Sequence, residues 1–263
     1  MKKCAILISG HLRNLHEIIE NFYDNLIVPI AEQFSYDIYI HTWDNNHTMD
    51  KIMNYDKHFV DIKITEEYIN KLFNDNDIFI KKIIIENQEE IKNKLNLKDY
   101  LNNNTEKRTI HNKFKSDYVK DIVNKLFFQF YGHYMLLNCV DLNCNYDFII
   151  KTRPDMFYEK FDINLFNYDI FFPNSHKINN SNINQLFFGG KTEYMINILK
   201  FFENIIFYDK NINFNIVNKY HKTDINFNCL FRYYILNYLN YRPFFTKYNP
   251  KIYRNKEIMK IIS

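Results

Sequence analysis

Short, continuous apolar segments alternate along this chain with longer segments of helical periodicity. Strand-like segments lie at 4–8, 36–42, 78–85, 148–150, 168–172 and 241–247, and the segment at 185–189 is a strand or a turn. Helical patterns lie at 15–34, 65–73, 115–140, 192–207 and 225–238, and Pro29 is expected to end or kink the first of them. Strands that alternate with helices are typical of a largely parallel sheet covered by helices. The sequence therefore predicts an α/β fold.

The chain has enough apolar material for a large core. It has 263 residues, of which 46% are hydrophobic and 18% aromatic. With 4 Gly and 5 Pro, no stretch has the composition of a flexible linker. We therefore predict a single domain over residues 1–263, in which the half at 1–158 is regular and the half at 159–263 is irregular.

Charge and cysteine usage exclude several classes of protein. Lys+Arg number 34 and Asp+Glu 31, which gives a net charge of +3, and the charges are interspersed. A nucleic-acid-binding protein would cluster its basic residues, so we expect no nucleic-acid partner. Cys4, Cys139, Cys144 and Cys229 form no CxxC and no zinc spacing, which indicates reduced thiols. No signal peptide or membrane-spanning run is visible, so a cytoplasmic location is expected.

The segment Arg153-Pro154-Asp155 follows the apolar run Phe148–Ile150. Proline cannot donate a hydrogen bond to a sheet, so the strand should stop there. One cation and one carboxylate are then left at the carboxyl end of a core strand, where open α/β sheets bind their ligands. Asp155 is a candidate ligand of a divalent metal bound to phosphate oxygens, and Arg153 is a candidate partner of the phosphates or of the carboxylate.

Two further strand ends carry polar candidates. Ser9 and Gly10 are small enough to let a ligand approach the backbone, and Arg13 lies near a helix N-terminus that favours anions. Trp43 and Asp44 follow the second strand, where a ring can pack on a flat base and a carboxylate can accept a ribose hydroxyl. The alternatives are an ordinary turn with a surface arginine, a core tryptophan and a capping aspartate.

Parallel strands place their carboxyl ends on one edge of a sheet. Arg13, Asp44 and Asp155 are therefore predicted to line a common cleft, although they are far apart in sequence.

The C-terminal half contains two more features. Gly189 and Gly190 are adjacent, which predicts a tight bend or a close backbone approach to a ligand. Asp224 opens a helical pattern after His221-Lys222-Thr223. It is either the N-cap of that helix or a base that removes a proton from an acceptor hydroxyl.

Four segments, taken in order, resemble those of the GT-A-type glycosyltransferases of bacterial surface-polysaccharide clusters and large DNA viruses. They are Ser-Gly-His-Leu-Arg at 9–13, Tyr-Asp-Ile-Tyr-Ile-His-Thr-Trp-Asp at 36–44, Tyr-Asp-Phe-Ile-Ile-Lys-Thr-Arg-Pro-Asp at 146–155 and Asn-Gln-Leu-Phe-Phe-Gly at 184–189. The resemblance spans most of the chain and implies a Rossmann-like GT-A fold, with a nucleotide-sugar half at 1–158 and an acceptor half at 159–263.

The resemblance also implies roles for individual residues. Asp155 would take the place of the Asp-x-Asp motif that binds Mn²⁺ or Mg²⁺, and the helix at 129–133 would pack near the sugar. Asn184 and Asp224 stand where the family usually has Asp and Glu. The nucleotide would be held by residues of the first two strand ends, namely Gly10, His11, Arg13, Thr42, Trp43 and Asp44.

The sequence therefore predicts transfer of a sugar from a nucleotide-diphosphate donor to a glycan acceptor. Arg13 and Arg153 are assigned to the phosphates or to bracing a carboxylate, Asp155 to metal and pyrophosphate, and Asp224 to the general base. One alternative is a protein that binds nucleotide sugar or glycan without catalysis. Another is an interaction protein whose aromatic-rich C-terminal half docks on a partner or a membrane surface.

Overall fold

The computed structural model describes residues 1–45, 63–76, 78–94, 117–173, 183, 185–204 and 231–253, with the backbone alone for 117–126. The strands are β1 (Lys2–Ser9), β2 (Phe34–Trp43), β3 (Ile80–Glu86), β4 (Phe148–Thr152), β5 (Met156–Phe157), β6 (Ile170–Pro173), β7 (Phe188–Lys191), β8 (Phe244–Thr246) and β9 (Lys251–Ile252). The helices are α1 (Leu15–Phe22), α2 (Val28–Ala31), α3 (Glu66–Asn74), α4 (Gln88–Lys94), α5 (Asp117–Cys139) and α6 (Thr192–Leu199).

Seven strands form one mixed sheet in the order β3-β2-β1-β4-β7-β6-β8. β1 pairs in parallel with β2 and β4, and β2 pairs in parallel with β3. β7 runs antiparallel to both β4 and β6, while β8 is parallel to β6. β5 and β9 form a small separate antiparallel pair. The predicted α/β class and mostly parallel sheet are confirmed. Six of the seven strands of the described sheet run in one direction, and β7 runs antiparallel to them.

Alternating side chains of the strands enter two apolar clusters, one on each face of the sheet. Ile6, Ile38 and Ile150 point to the face that is covered by α1 and α3. Ala5 and Ile149 point to the opposite face, which is covered by α5 and α6. The apolar runs of the sequence are continuous because both faces of these strands are buried. Within the described residues, no helix has the length and hydropathy to cross a membrane.

Pro29 alters the first helix without ending it. α1 passes through a π-helical segment, Tyr23–Ile27, into α2, and the N–H of Val28 donates to the carbonyl of Tyr23. Pro29 has no N–H to donate to Asn25. The carbonyl of Asn25 instead accepts the N–H of Phe161 at 2.8 Å. The proline thus frees a carbonyl that holds the chain segment following β5.

Gly189 and Gly190 lie in β7, not in a bend, and the backbone that they approach is that of neighbouring strands. A Cβ on Gly189 would lie 3.0 Å from the carbonyl oxygen of Ile149. A Cβ on Gly190 would overlap the carbonyl oxygen of Asp169 and lie 2.9 Å from the Cα of Ile170. The two glycines therefore allow β7 to pair closely between β4 and β6.

Replacing Gly190 by Ala should destabilise the protein by about 1–3 kcal/mol, because the obstructing atoms belong to the backbone and cannot move aside. Chemical denaturation would measure the loss in free energy of unfolding. Lys191→Ala, at the exposed end of the same strand, is the matched control and should change it little. An unchanged unfolding midpoint for Gly190→Ala would contradict the close pairing of β6 and β7.

Candidate functional site

The carboxyl ends of three parallel strands meet at one edge of the sheet. Ser9 of β1 is in register with His41 of β2, and Ile8 with Thr152 of β4. The loops that follow these strands therefore leave the sheet side by side. This juxtaposition places the first loop beside Arg153-Pro154-Asp155.

Asp155 lies at the centre of this edge and is bound by two arginines. Its side chain is fully buried. Arg153 donates from Nε to Oδ1 and from Nη2 to Oδ2, each at 2.7 Å. Arg13 donates from Nη1 to Oδ2 at 2.9 Å. Charge-assisted hydrogen bonds of this fork geometry are among the stronger ones in proteins. The carboxylate thus holds two guanidinium groups together.

The first loop has an unusual backbone that places Arg13 there. Gly10 has a φ of 130° and Arg13 a φ of 41°, both in the region that favours glycine. The carbonyl of Gly10 accepts a hydrogen bond from Thr42 Oγ1 at 2.9 Å, and a Cβ on Gly10 would lie 3.5 Å from Cδ of Pro154. The loop is therefore fixed against both neighbouring strand ends. Glycine suits position 10 because of its positive φ, since a Cβ there would make only an ordinary contact with Pro154.

Lys151, which is not among the predicted site residues, is a buried lysine near Arg153. It lies in β4, its side chain is fully buried, and Nζ donates to the carbonyls of Gln185 at 3.1 Å and Leu186 at 3.4 Å. Burial, with Arg153 nearby, holds the pKa of Lys151 well below its usual value. A lysine inside a buried apolar strand, just before Arg153, was the signal that could have revealed it.

Two buried histidines reflect the same positive environment. Burial and the charge of Arg13 lower the pKa of His11 to about 3. Burial, with Lys151 and Arg153 nearby, holds the pKa of His133 well below its usual value. Nε2 of each ring is buried without a hydrogen-bond partner among the described residues. Neutral imidazoles therefore lie beside the cationic cluster, whose members are Arg13 and Arg153.

A second hydrogen-bonded group lies under α5. His41 Nε2 is 2.8 Å from Glu86 Oε2, and Tyr131 donates to Glu86 Oε1 at 3.0 Å. Although burial alone would raise the pKa of Glu86, the hydrogen bonds from these two partners lower it. Gly132 lets the helix approach, because a Cβ there would lie 3.2 Å from Cβ of Ser9. The group anchors α5, including the predicted 129–133 segment, on the site edge of the sheet.

Trp43 and Asp44 lie at the end of β2 with different environments. The Trp43 ring is 2% exposed and stacks on Tyr131, with centroids 6.1 Å apart and planes at 20°. This placement favours the alternative of a core tryptophan. Asp44 is half-buried, and its carboxylate accepts from Asn87 at 2.8 Å and from Asn45 at 3.3 Å. The role of Asp44 in binding a nucleoside stays a prediction.

The contacts of Asp155 do not fit a metal ligand. A divalent cation on its oxygens would displace guanidinium hydrogen bonds and lie against two positive charges. In the part of the chain that the structure describes, no group of three or more His, Cys, Asp and Glu side chains could hold a metal. In the structure Arg153 braces the carboxylate of Asp155, which is one of the two roles that the sequence left open for this arginine.

Two predicted residues of the C-terminal half, Asn184 and Asp224, lie outside the described residues. Their roles stay predictions.

No protein-family model matches the chain. No curated protein matches it either.

Proposed function

We propose that the protein is a glycosyltransferase that moves a sugar from a nucleotide-diphosphate donor to a glycan acceptor. The observation that carries the proposal is the convergence of two nearly buried arginines, Arg13 and Arg153, on the single carboxylate of Asp155. A bound diphosphate would balance this surplus of positive charge. The location supports the same ligand, because open α/β sheets bind nucleotides at the carboxyl ends of their strands.

The chemistry of glycosyl transfer requires what this site offers. As the bond to the sugar breaks, negative charge grows on the departing diphosphate. Arg13 and Arg153 are held in place before the ligand arrives, so their N–H donors need no rearrangement to meet that charge. Asp224 remains the proposed base for the acceptor hydroxyl, with N-capping of a helix as its alternative role.

A panel of UDP-, GDP-, dTDP- and CMP-sugars tests the proposal. Diphosphate donors should raise the melting temperature more than CMP-sugars, which carry one phosphate. A ligand that binds the folded state stabilises it by about 2.7 kcal/mol at a concentration roughly a hundredfold above its Kd. Release of nucleoside diphosphate in the presence of a glycan acceptor would then identify the donor.

The outcomes separate the candidate functions. Binding together with nucleotide release supports the transferase. Binding without release, across the panel and a range of acceptors, favours the non-catalytic alternative. If no diphosphate raises the melting temperature, the cationic cluster is not a nucleotide site and the proposal fails. Among donors that turn over, Asp224→Asn should lower turnover and leave donor affinity unchanged.

A further inference from the structure

We propose that this site binds a diphosphate group without a divalent cation, with Arg13 and Arg153 facing the ligand and Asp155 holding them from behind. The inference rests on the proposed function, which identifies the ligand, and it adds how the diphosphate is held. The feature that carries the inference is the difference in exposure between the two arginines and the carboxylate that they share.

The carboxylate has no surface from which to bind a metal. The side chain of Asp155 is 0% exposed, whereas those of Arg13 and Arg153 are 13% and 15% exposed. The part of this cluster that reaches the surface therefore belongs to the arginine side chains and not to the carboxylate. A metal ligand in an α/β cleft has the opposite arrangement, in which the carboxylate faces the phosphates and the cation lies between them.

The hydrogen-bonding pattern leads to the same conclusion. Both oxygens of Asp155 accept from guanidinium donors at 2.7–2.9 Å. A divalent ion would have to compete with these donors for the carboxylate and remain next to them, so that three cations would surround one carboxylate. An anion meets no such obstacle, because it adds negative charge where cations are in excess.

Arginine also suits the ligand. Its planar fork of N–H donors matches the oxygens of a phosphate and is less strongly hydrated than an ammonium group. The Asp155 brace fixes Arg153 through two of its nitrogens and Arg13 through one. The diphosphate would thus be neutralised by groups of this chain.

Inorganic pyrophosphate is the probe that tests the inference. The full chain is stripped with EDTA, and calorimetry measures the Kd for pyrophosphate in EDTA and in manganese. We expect binding in EDTA and no tightening by manganese. Arg13→Lys keeps the charge but loses the fork, and should weaken binding roughly tenfold or more in both buffers. Arg242→Lys, at an exposed arginine, makes the same chemical change and should have no effect.

Each outcome bears on the inference. Binding that appears only with manganese would overturn it, and so would the absence of pyrophosphate binding in both buffers. The comparison of buffers uses the parent protein, so it does not depend on whether Arg13→Lys folds. If pyrophosphate binds in EDTA but no nucleotide sugar turns over, the inference stands and the proposed function fails. If transfer occurs but requires manganese, the proposed function stands and the inference fails.

Discussion

Asp155→Asn should destabilise the folded protein by about 3–5 kcal/mol, because removing one partner leaves buried charges uncompensated. The parent carboxylate accepts hydrogen bonds from Arg13 and Arg153, and its side chain is fully buried. Asparagine can still accept a hydrogen bond, but it cannot balance two guanidinium charges. The loss would appear as a shift of the urea unfolding midpoint.

An added anion should recover part of this stability. Pyrophosphate or sulfate would occupy the cationic cluster and supply the missing negative charge, so the Asp155→Asn protein should gain more from anions than the parent. Asp169→Asn is the matched control, because its exposed ion pair with Lys191 should matter little. An Asp155→Asn protein more stable than the parent would contradict the brace. Such a result would indicate that the Asp155 carboxylate destabilises the folded protein and binds a cation.

Lowering the pH from about 7 to about 5 should reduce the free energy of unfolding by about 2 kcal/mol through His11, and His133 should add to this loss. Both have a pKa below the ordinary value in the folded protein, about 3 for His11. The unfolded chain therefore binds protons first, near pH 6.5, and the folded chain does not. Stability that is present above pH 6.5 is lost as the pH falls below it.

Histidine replacement isolates this effect. His133→Gln should lower the slope of stability against pH, whatever its effect on absolute stability, and His16→Gln at an exposed position should leave the slope unchanged. Carboxyl groups with a lowered pKa, such as Asp37 and Glu86, add to the acid sensitivity only as the pH nears about 4. A stability that is flat between about pH 7 and about pH 5 would show that the imidazoles are not buried among cations.

The sheet could be predicted from sequence because each central strand is buried on both faces. Ala5–Ile8 and Phe148–Ile150 read as continuous apolar runs for that reason, and their parallel pairing follows from the helical segments between them. Because β1, β2 and β4 are parallel, their carboxyl ends lie at the same edge of the sheet, where the site is. The antiparallel direction of β7 could not be predicted from the sequence, because it depends on the connection through β6 and not on the residue pattern of β7 itself.

Side-chain partners were much harder to predict. A strand-end aspartate has the same appearance in sequence whether it binds a cation or two arginines, so the sequence alone could not show the two arginines that bind Asp155. The left-handed backbone at Arg13, which brings its guanidinium to Asp155, has no signature in the residue type. Trp43 likewise could not be assigned between core and ligand until Tyr131 was seen stacked against it.

The pairing of β1 with β4 has a consequence for how the protein folds. Arg13 and Asp155 are 142 residues apart in sequence, and all of β2, β3 and α5 lie between them. Contacts of such long range form slowly, because the intervening chain must first be ordered. A nascent chain that ends before β4 has neither the central strand nor the carboxylate. Anion binding would therefore report completion of the central sheet, and a bound anion would slow unfolding more than it speeds folding.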